Sequence, residues 1–157
     1  MTEMSDDRLA DREALRELRA RYSHYWDDGD VEGFVHLFTE DCILQAATQG
    51  LVRGREALSE MVAQNIHRSD FGIHFTSDEI TTFTSEATAE AVSRFAYHGG
   101  RSPNTQGAGT YVDTYRKTPD GWRFVTRHQR FFYMGERDGK WPDTPSGTEL
   151  TYKDRDV

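Results

Sequence analysis

Residues 108–134, AGTYVDTYRKTPDGWRFVTRHQRFFYM, hold two runs rich in Thr, Val and aromatic side chains, about 108–117 and 122–134, on either side of Thr118-Pro119-Asp120-Gly121. Proline presets φ for a turn, Asp bonds its own backbone and Gly accepts a positive φ, so the stretch predicts a β-hairpin. Two earlier runs of the same composition, about 73–83 and 87–98, predict two further strands, and Cys42-Ile43-Leu44-Gln45-Ala46-Ala47 predicts a short one.

The chain ahead of these strands is patterned differently. Leu9, Leu15, Leu18, Tyr22 and Tyr25 or Trp26 recur among Arg and Glu, predicting an amphipathic helix over about 7–28 with Gly29 as its stop. Asp30 is placed to cap a second helix with Val31, Phe34, Val35 and Phe38 on its apolar side, and Gly54-Arg55-Glu56-Ala57-Leu58 opens a third through Met61, Val62 and Ile66. Helices in front and consecutive strands behind predict an α+β domain, with a strongly curved antiparallel or mixed sheet wrapping about three helices into a cone. We read 1–6 as a flexible N-terminus, 7–134 as the domain, and 135–157, where Gly, Pro, Asp and Lys are prominent, as a mobile extension or a lid.

A length of 157 residues suits one domain with one core. Acidic residues outnumber basic ones, 27 to 19, for a formal charge of −8, so nucleic acid and anionic membrane are poor partners. Nine Phe, seven Tyr and three Trp put much of the apolar mass into rings, which suit a pocket for flat ligands. Cys42 is the lone cysteine, and no basic segment leads into a long apolar run, so a reducing, cytoplasmic home is expected. The six His, at 24, 36, 67, 74, 98 and 128, show no short paired spacing of a zinc or non-haem iron site. Gly107-Ala108-Gly109 enters a strand rather than a helix, unlike a phosphate loop, and no Gly-x-Ser-x-Gly elbow occurs. The expectation is chemistry without a metal or cofactor.

Two strings carry candidate chemistry: Tyr22-x-x-x-x-Asp27 at the end of the first helix and His74-Phe75-Thr76-Ser77-Asp78 opening a strand. If the fold joins them, Asp27 orients His74 and stabilises its imidazolium, making it a general base near neutrality. The ordinary alternative is a solvated helix-end Asp and a half-buried His. Tyr22, if its hydroxyl reaches a cavity, donates to a substrate carbonyl or a departing hydroxide. His128 shares strand parity with Trp122, Phe124 and Phe132, and points into the cavity if that face is concave. Trp26 and Phe132 supply rings for the same substrate-binding set. Tyr111, Asp113 and Tyr115 alternate on one strand face, where Asp113 is either a buried acid facing substrate or the partner of Arg123 or Arg127 across the hairpin.

The order of elements resembles the SnoaL-like group of the nuclear transport factor 2-like superfamily over about 7–134. The strings that carry it are Arg21-Tyr22, Asp27-x-Gly29-Asp30, Leu37-Phe38-x-x-Asp41, Gly54-Arg55-Glu56-Ala57-Leu58 and Asp120-Gly121-Trp122-Arg123-Phe124. Within that group the residues are most similar to scytalone dehydratase, bile-acid 7α-dehydratase and hexachlorocyclohexane dehydrochlorinase. That resemblance implies an Asp-His base at Asp27 and His74, a supporting Tyr22 and a hydrophobic cyclic substrate such as a steroid, polyketide or aromatic intermediate. It equally admits an isomerase or cyclase with the same pair, or a non-catalytic binding or assembly subunit, because the fold hosts all of these. By the same analogy the chain is expected to form a homodimer or homotrimer.

Overall fold

The computed structural model describes residues 6–46, 49–66, 72–99 and 105–136. The expected mobile N-terminus lies outside these residues except for Asp6, as do His67 and the extension beyond Glu136. Helix α1, Asp6–Asp28, turns Leu15, Leu18 and Tyr22 into the core at 0, 6 and 3% exposure. Leu9 departs from the expected apolar side and is 49% exposed. Six residues before Leu15, it sits about 120° around the helix from it at 3.6 residues per turn. Gly29, at φ +80°, ends α1: its N–H donates to Trp26 O at 3.3 Å and that of Asp30 to Tyr25 O at 2.8 Å. This paired closure requires the left-handed residue that glycine supplies.

Helix α2, Val31–His36, is capped by Asp30, whose carboxylate accepts from the Gly33 N–H at 2.8 Å. A Cβ on Gly33 would stand 2.3 Å from that carboxylate. Phe38, expected on α2, instead opens strand β1, Phe38–Ala46, which therefore begins four residues before its expected start. β2, Gly50–Arg53, pairs antiparallel with β1 and is too short to show a period in the sequence. Helix α3, Arg55–Asn65, buries Leu58 and Val62. The remaining strands are β3, Gly72–Phe83, β4, Thr88–Gly99, β5, Thr105–Thr118, and β6, Gly121–Glu136.

These strands form one open sheet in the order β2-β1-β6-β5-β4-β3, parallel only between β1 and β6. The expected α+β class, with a mixed sheet and three helices, is the architecture observed. Register shifts interrupt β1/β6, β3/β4 and β5/β6, and such bulges bend and twist the sheet locally. The core between sheet and helices is built on the rings of Tyr22, Phe34, Phe38, Tyr111, Tyr115 and Phe124. No helix among the described residues is long and apolar enough to cross a membrane.

Candidate active site

Helix α1 lies along edge strand β3 through a series of polar contacts. Arg12 Nη1 donates to Thr81 O at 3.2 Å, Arg19 pairs with Glu79, Ser23 Oγ lies 3.4 Å from Thr76 Oγ1, and Asp27 meets His74. Helix numbers rise as strand numbers fall, so the two elements run antiparallel. Four residues advance a helix by about 6 Å and two residues advance a strand by about 6.6 Å, so from Arg19 to Asp27 every fourth side chain of α1 keeps step with β3. The bulge between Ser77 and Ile80, with Asp78 at φ +53°, inserts the extra residue between Thr76 and Glu79. The last contact of this series joins a carboxylate to an imidazole.

Both oxygens of Asp27 are committed to one residue: Oδ1 is 2.6 Å from His74 Nδ1, and Oδ2 accepts the backbone N–H of His74 at 2.8 Å. That N–H is on the open side of an edge strand, and the carboxylate satisfies it. Two bonds fix the carboxylate plane, and an acceptor at Nδ1 places the imidazole proton there, leaving Nε2 with its lone pair. The side chains are 13 and 11% exposed, so water reaches the pair only at a margin. Asp27 sits in the last turn of α1, which has no basic residue and whose carbonyl end is partially negative. The imidazole is thus held by a carboxylate that sits at the carbonyl end of α1.

Within the chain, residues 7–128 match the family model of the SnoaL-like domain. The chain belongs to the SnoaL-like family. Several solved structures share the fold of this SnoaL-like chain. A protein provisionally assigned as a scytalone dehydratase from Novosphingobium aromaticivorans superposes with a TM-score of 0.79 at 24% identity, covering 94% of this chain and 100% of that one. A hexachlorocyclohexane dehydrochlorinase, LinA-type3, from Novosphingobium barchaimii gives a TM-score of 0.79 at 20% identity over 88 and 98% of the two chains. An NTF2-like protein with a cystatin-like fold, also from N. aromaticivorans, is 30% identical with a TM-score of 0.67, over 79 and 83%. No curated protein matches the chain in sequence.

The other expected site residues divide by sheet face. Tyr22 is 3% exposed, with its ring against Phe34, Phe38, Tyr111 and Phe124 and its hydroxyl accepting from Gln129 Nε2 at 3.2 Å. Burial raises its pKa against the opposing pull of Arg127 and Gln129, so it remains a neutral phenol. Trp26 is partly buried against Phe34, at 5.3 Å between ring centroids. Asp113 takes the ion-pair alternative: Arg127 Nε and Nη2 donate to its two oxygens at 2.9 and 2.7 Å, and Tyr115 OH donates at 2.8 Å. Both Asp113 oxygens are thus engaged in the core.

His128 and Phe132 are displaced from the site by bulges. Between the Thr114–Thr126 and Tyr115–Phe124 pairs β6 carries one extra residue, so Trp122 and Phe124 face inward and the next inward side chain is Arg127. His128 thus lies on the outer face opposite Val112, with Nδ1 3.0 Å from Gln45 Oε1. A second bulge, between Ala108 and Gly109, leaves Phe132 66% exposed beside the Arg94 guanidinium, while Phe131 turns in against Phe95.

Sequence reasoning gives no role to Tyr97, whose ring centroid is 4.6 Å from that of His74, nor to Gln129 and Phe131, which a parity unbroken by bulges assigns to the wrong face. Tyr111, placed by the sequence on the same strand face as Asp113, stacks its ring on Phe95 at 4.3 Å, and burial raises its pKa well above the usual tyrosine range, with the charge of Asp27 adding to the effect. Among the described residues no group of three His, Cys, Asp or Glu is placed to hold a metal ion.

Proposed function

We propose that this SnoaL-like protein is a cofactor-independent lyase of dehydratase type, acting on a hydrophobic cyclic small molecule such as a steroid, polyketide or aromatic intermediate. The observation that carries the proposal is the pair of hydrogen bonds from His74 to Asp27, which leaves Nε2 as an oriented base. In this reading Nε2 takes a proton from carbon beside a carbonyl, the C–H electrons form the double bond, and hydroxide leaves from the adjacent carbon. Asp27 holds the resulting imidazolium. Tyr22 enters as the neutral donor to the carbonyl or the departing hydroxide; its ring belongs to the core, so only its hydroxyl is available for that role. Trp26, packed on Phe34, is assigned to the apolar lining for the substrate. The names of the neighbouring structures, a scytalone dehydratase and a dehydrochlorinase, support elimination over other uses of the dyad.

An isomerase or cyclase uses the same dyad and returns the proton to a different atom of the substrate, so product analysis separates it from a lyase. A binding or assembly subunit has no use for an oriented base. The test is turnover of cyclic β-hydroxycarbonyl compounds by wild type and His74→Gln. The variant is expected to fold and to lose about 10²–10⁴-fold in rate, the usual worth of a positioned base. Undiminished turnover in folded His74→Gln would eliminate the assignment, and no turnover of any such compound by wild type would favour the binding reading. We also propose a homodimer or homotrimer, supported by the row of apolar side chains on the outer sheet face, Ile73, Phe75, Ile80, Val92 and Phe132, exposed by 37–74%.

A further inference from the structure

We propose that Tyr97 is a positioning residue for the His74 imidazole, and that the glycine pair Gly72–Gly99 forms the seat that admits its ring. This rests on the reading of Asp27 and His74 as the general base. The four residues are two cross-strand pairs: His74 stands opposite Tyr97 and Gly72 opposite Gly99, on neighbouring strands β3 and β4. The Tyr97 and His74 rings are 4.6 Å apart and tilted by 40°. From its own position Tyr97 leans two residues along β4. A Cβ on Gly99 would fall 2.3 Å from its hydroxyl oxygen and 2.9 Å from Cζ. A Cβ on Gly72 would fall 3.2 Å from its Cε2 and 3.6 Å from Asp27 Oδ1.

The tyrosine ring therefore lies across both glycines, with the dyad at its edge. Neither glycine has the left-handed φ that would demand the residue for the backbone's sake. Glycine inside a strand weakens it, so what these two positions supply is space. The consequence falls on His74. Asp27 fixes one nitrogen, yet an imidazole bonded at Nδ1 alone still rocks about its side-chain torsions. A ring held against its face removes that freedom and gives Nε2 one direction. Misplacing a reacting group by about 1 Å can cost 10²-fold in rate, so this constraint bears on the chemistry directly.

The test reads the imidazole itself, by long-range ¹H–¹⁵N correlation of labelled protein at a pH where the ring is neutral, with His74→Gln for assignment. Wild type and Tyr97→Phe are expected to show one tautomer, protonated at Nδ1, with the two nitrogen shifts widely separated. Tyr97→Leu and Gly99→Ala, each with an unchanged backbone spectrum away from β3 and β4, are expected to lose much of that separation, because the released ring swings out of reach of Asp27 for part of the time and the tautomer protonated at Nε2 then appears. Retention of the wild-type separation in folded Tyr97→Leu would overturn the positioning role while leaving the dyad in place. Should Tyr97→Leu not fold, Gly99→Ala decides by the same criterion. An averaged signal in wild type itself would overturn the dyad, and this role with it.

Discussion

Arg127 brings a charge into the core with no exposed side-chain surface, and Asp113, equally buried, is the group that makes this tolerable. Burial alone would lower the Arg127 pKa, but the charge and hydrogen bonds of Asp113 outweigh it and raise it, so the guanidinium stays ionised. The rings of Tyr22, Tyr111 and Phe124, 4.0–4.3 Å from the guanidinium carbon, replace water around it. Asp113→Asn leaves that cation uncompensated and is expected to cost about 3–5 kcal/mol in chemical denaturation, whereas replacing both partners by apolar residues of similar volume is expected to cost far less. A loss below about 1 kcal/mol for Asp113→Asn, the scale of an ordinary surface pair, would show that the pair is hydrated. The pairing was legible as one of two cross-hairpin options, because Asp113 and Arg127 are register partners across a turn that the sequence predicts. The three stacking rings were not, since they arrive from α1, β5 and β6.

At the scale of elements, α1 is tied to the β5–β6 hairpin near its start and to β3 from Arg12 to Asp27. Asp11 accepts from Lys117 Nζ and Trp122 Nε1, each at 2.8 Å. Burial pushes its pKa up, but the hydrogen bonds from Lys117 and Trp122 outweigh it and the carboxyl titrates below its ordinary range. A carboxyl lowered by folding contributes stability that is complete above its unfolded pKa of about 3.9 and is lost as pH falls through the folded value. Unfolding midpoints between about pH 5 and pH 2 are therefore expected to fall more steeply for wild type than for Asp11→Asn; parallel curves would remove Asp11 from this role. Gly29→Ala forces a Cβ into the left-handed closure of α1 and is expected to cost about 1–2 kcal/mol, measured by thermal unfolding. That helix end was readable from Asp27-Asp28-Gly29-Asp30, and it is what sets Asp27 at the level of His74. The bulges were not readable. Each inserts one residue without a compositional mark, and a single inserted residue moves every following side chain to the opposite face, which is why His128 and Phe132 were assigned to the cavity side.

For the molecule as a whole, the order of helices and strands was legible because each long element is strongly periodic, and the pairing of α1 with β3 because the family resemblance implied it. The Tyr97 contact was hidden by its dependence on two glycines that no turn requires. The proposed assembly through the outer sheet face predicts that wild type sediments as a dimer or trimer at micromolar concentration, and that Ile80→Glu shifts it toward monomer; a monomeric wild type would contradict it. The central claim is that Asp27 and His74 act as one unit. A double-mutant cycle on kcat/KM with Asp27→Asn, His74→Gln and the pair together tests it most directly. The double variant is expected to be no slower than His74→Gln alone, whereas losses that simply add, or a His74→Gln variant as fast as wild type, would contradict a joint role for the pair.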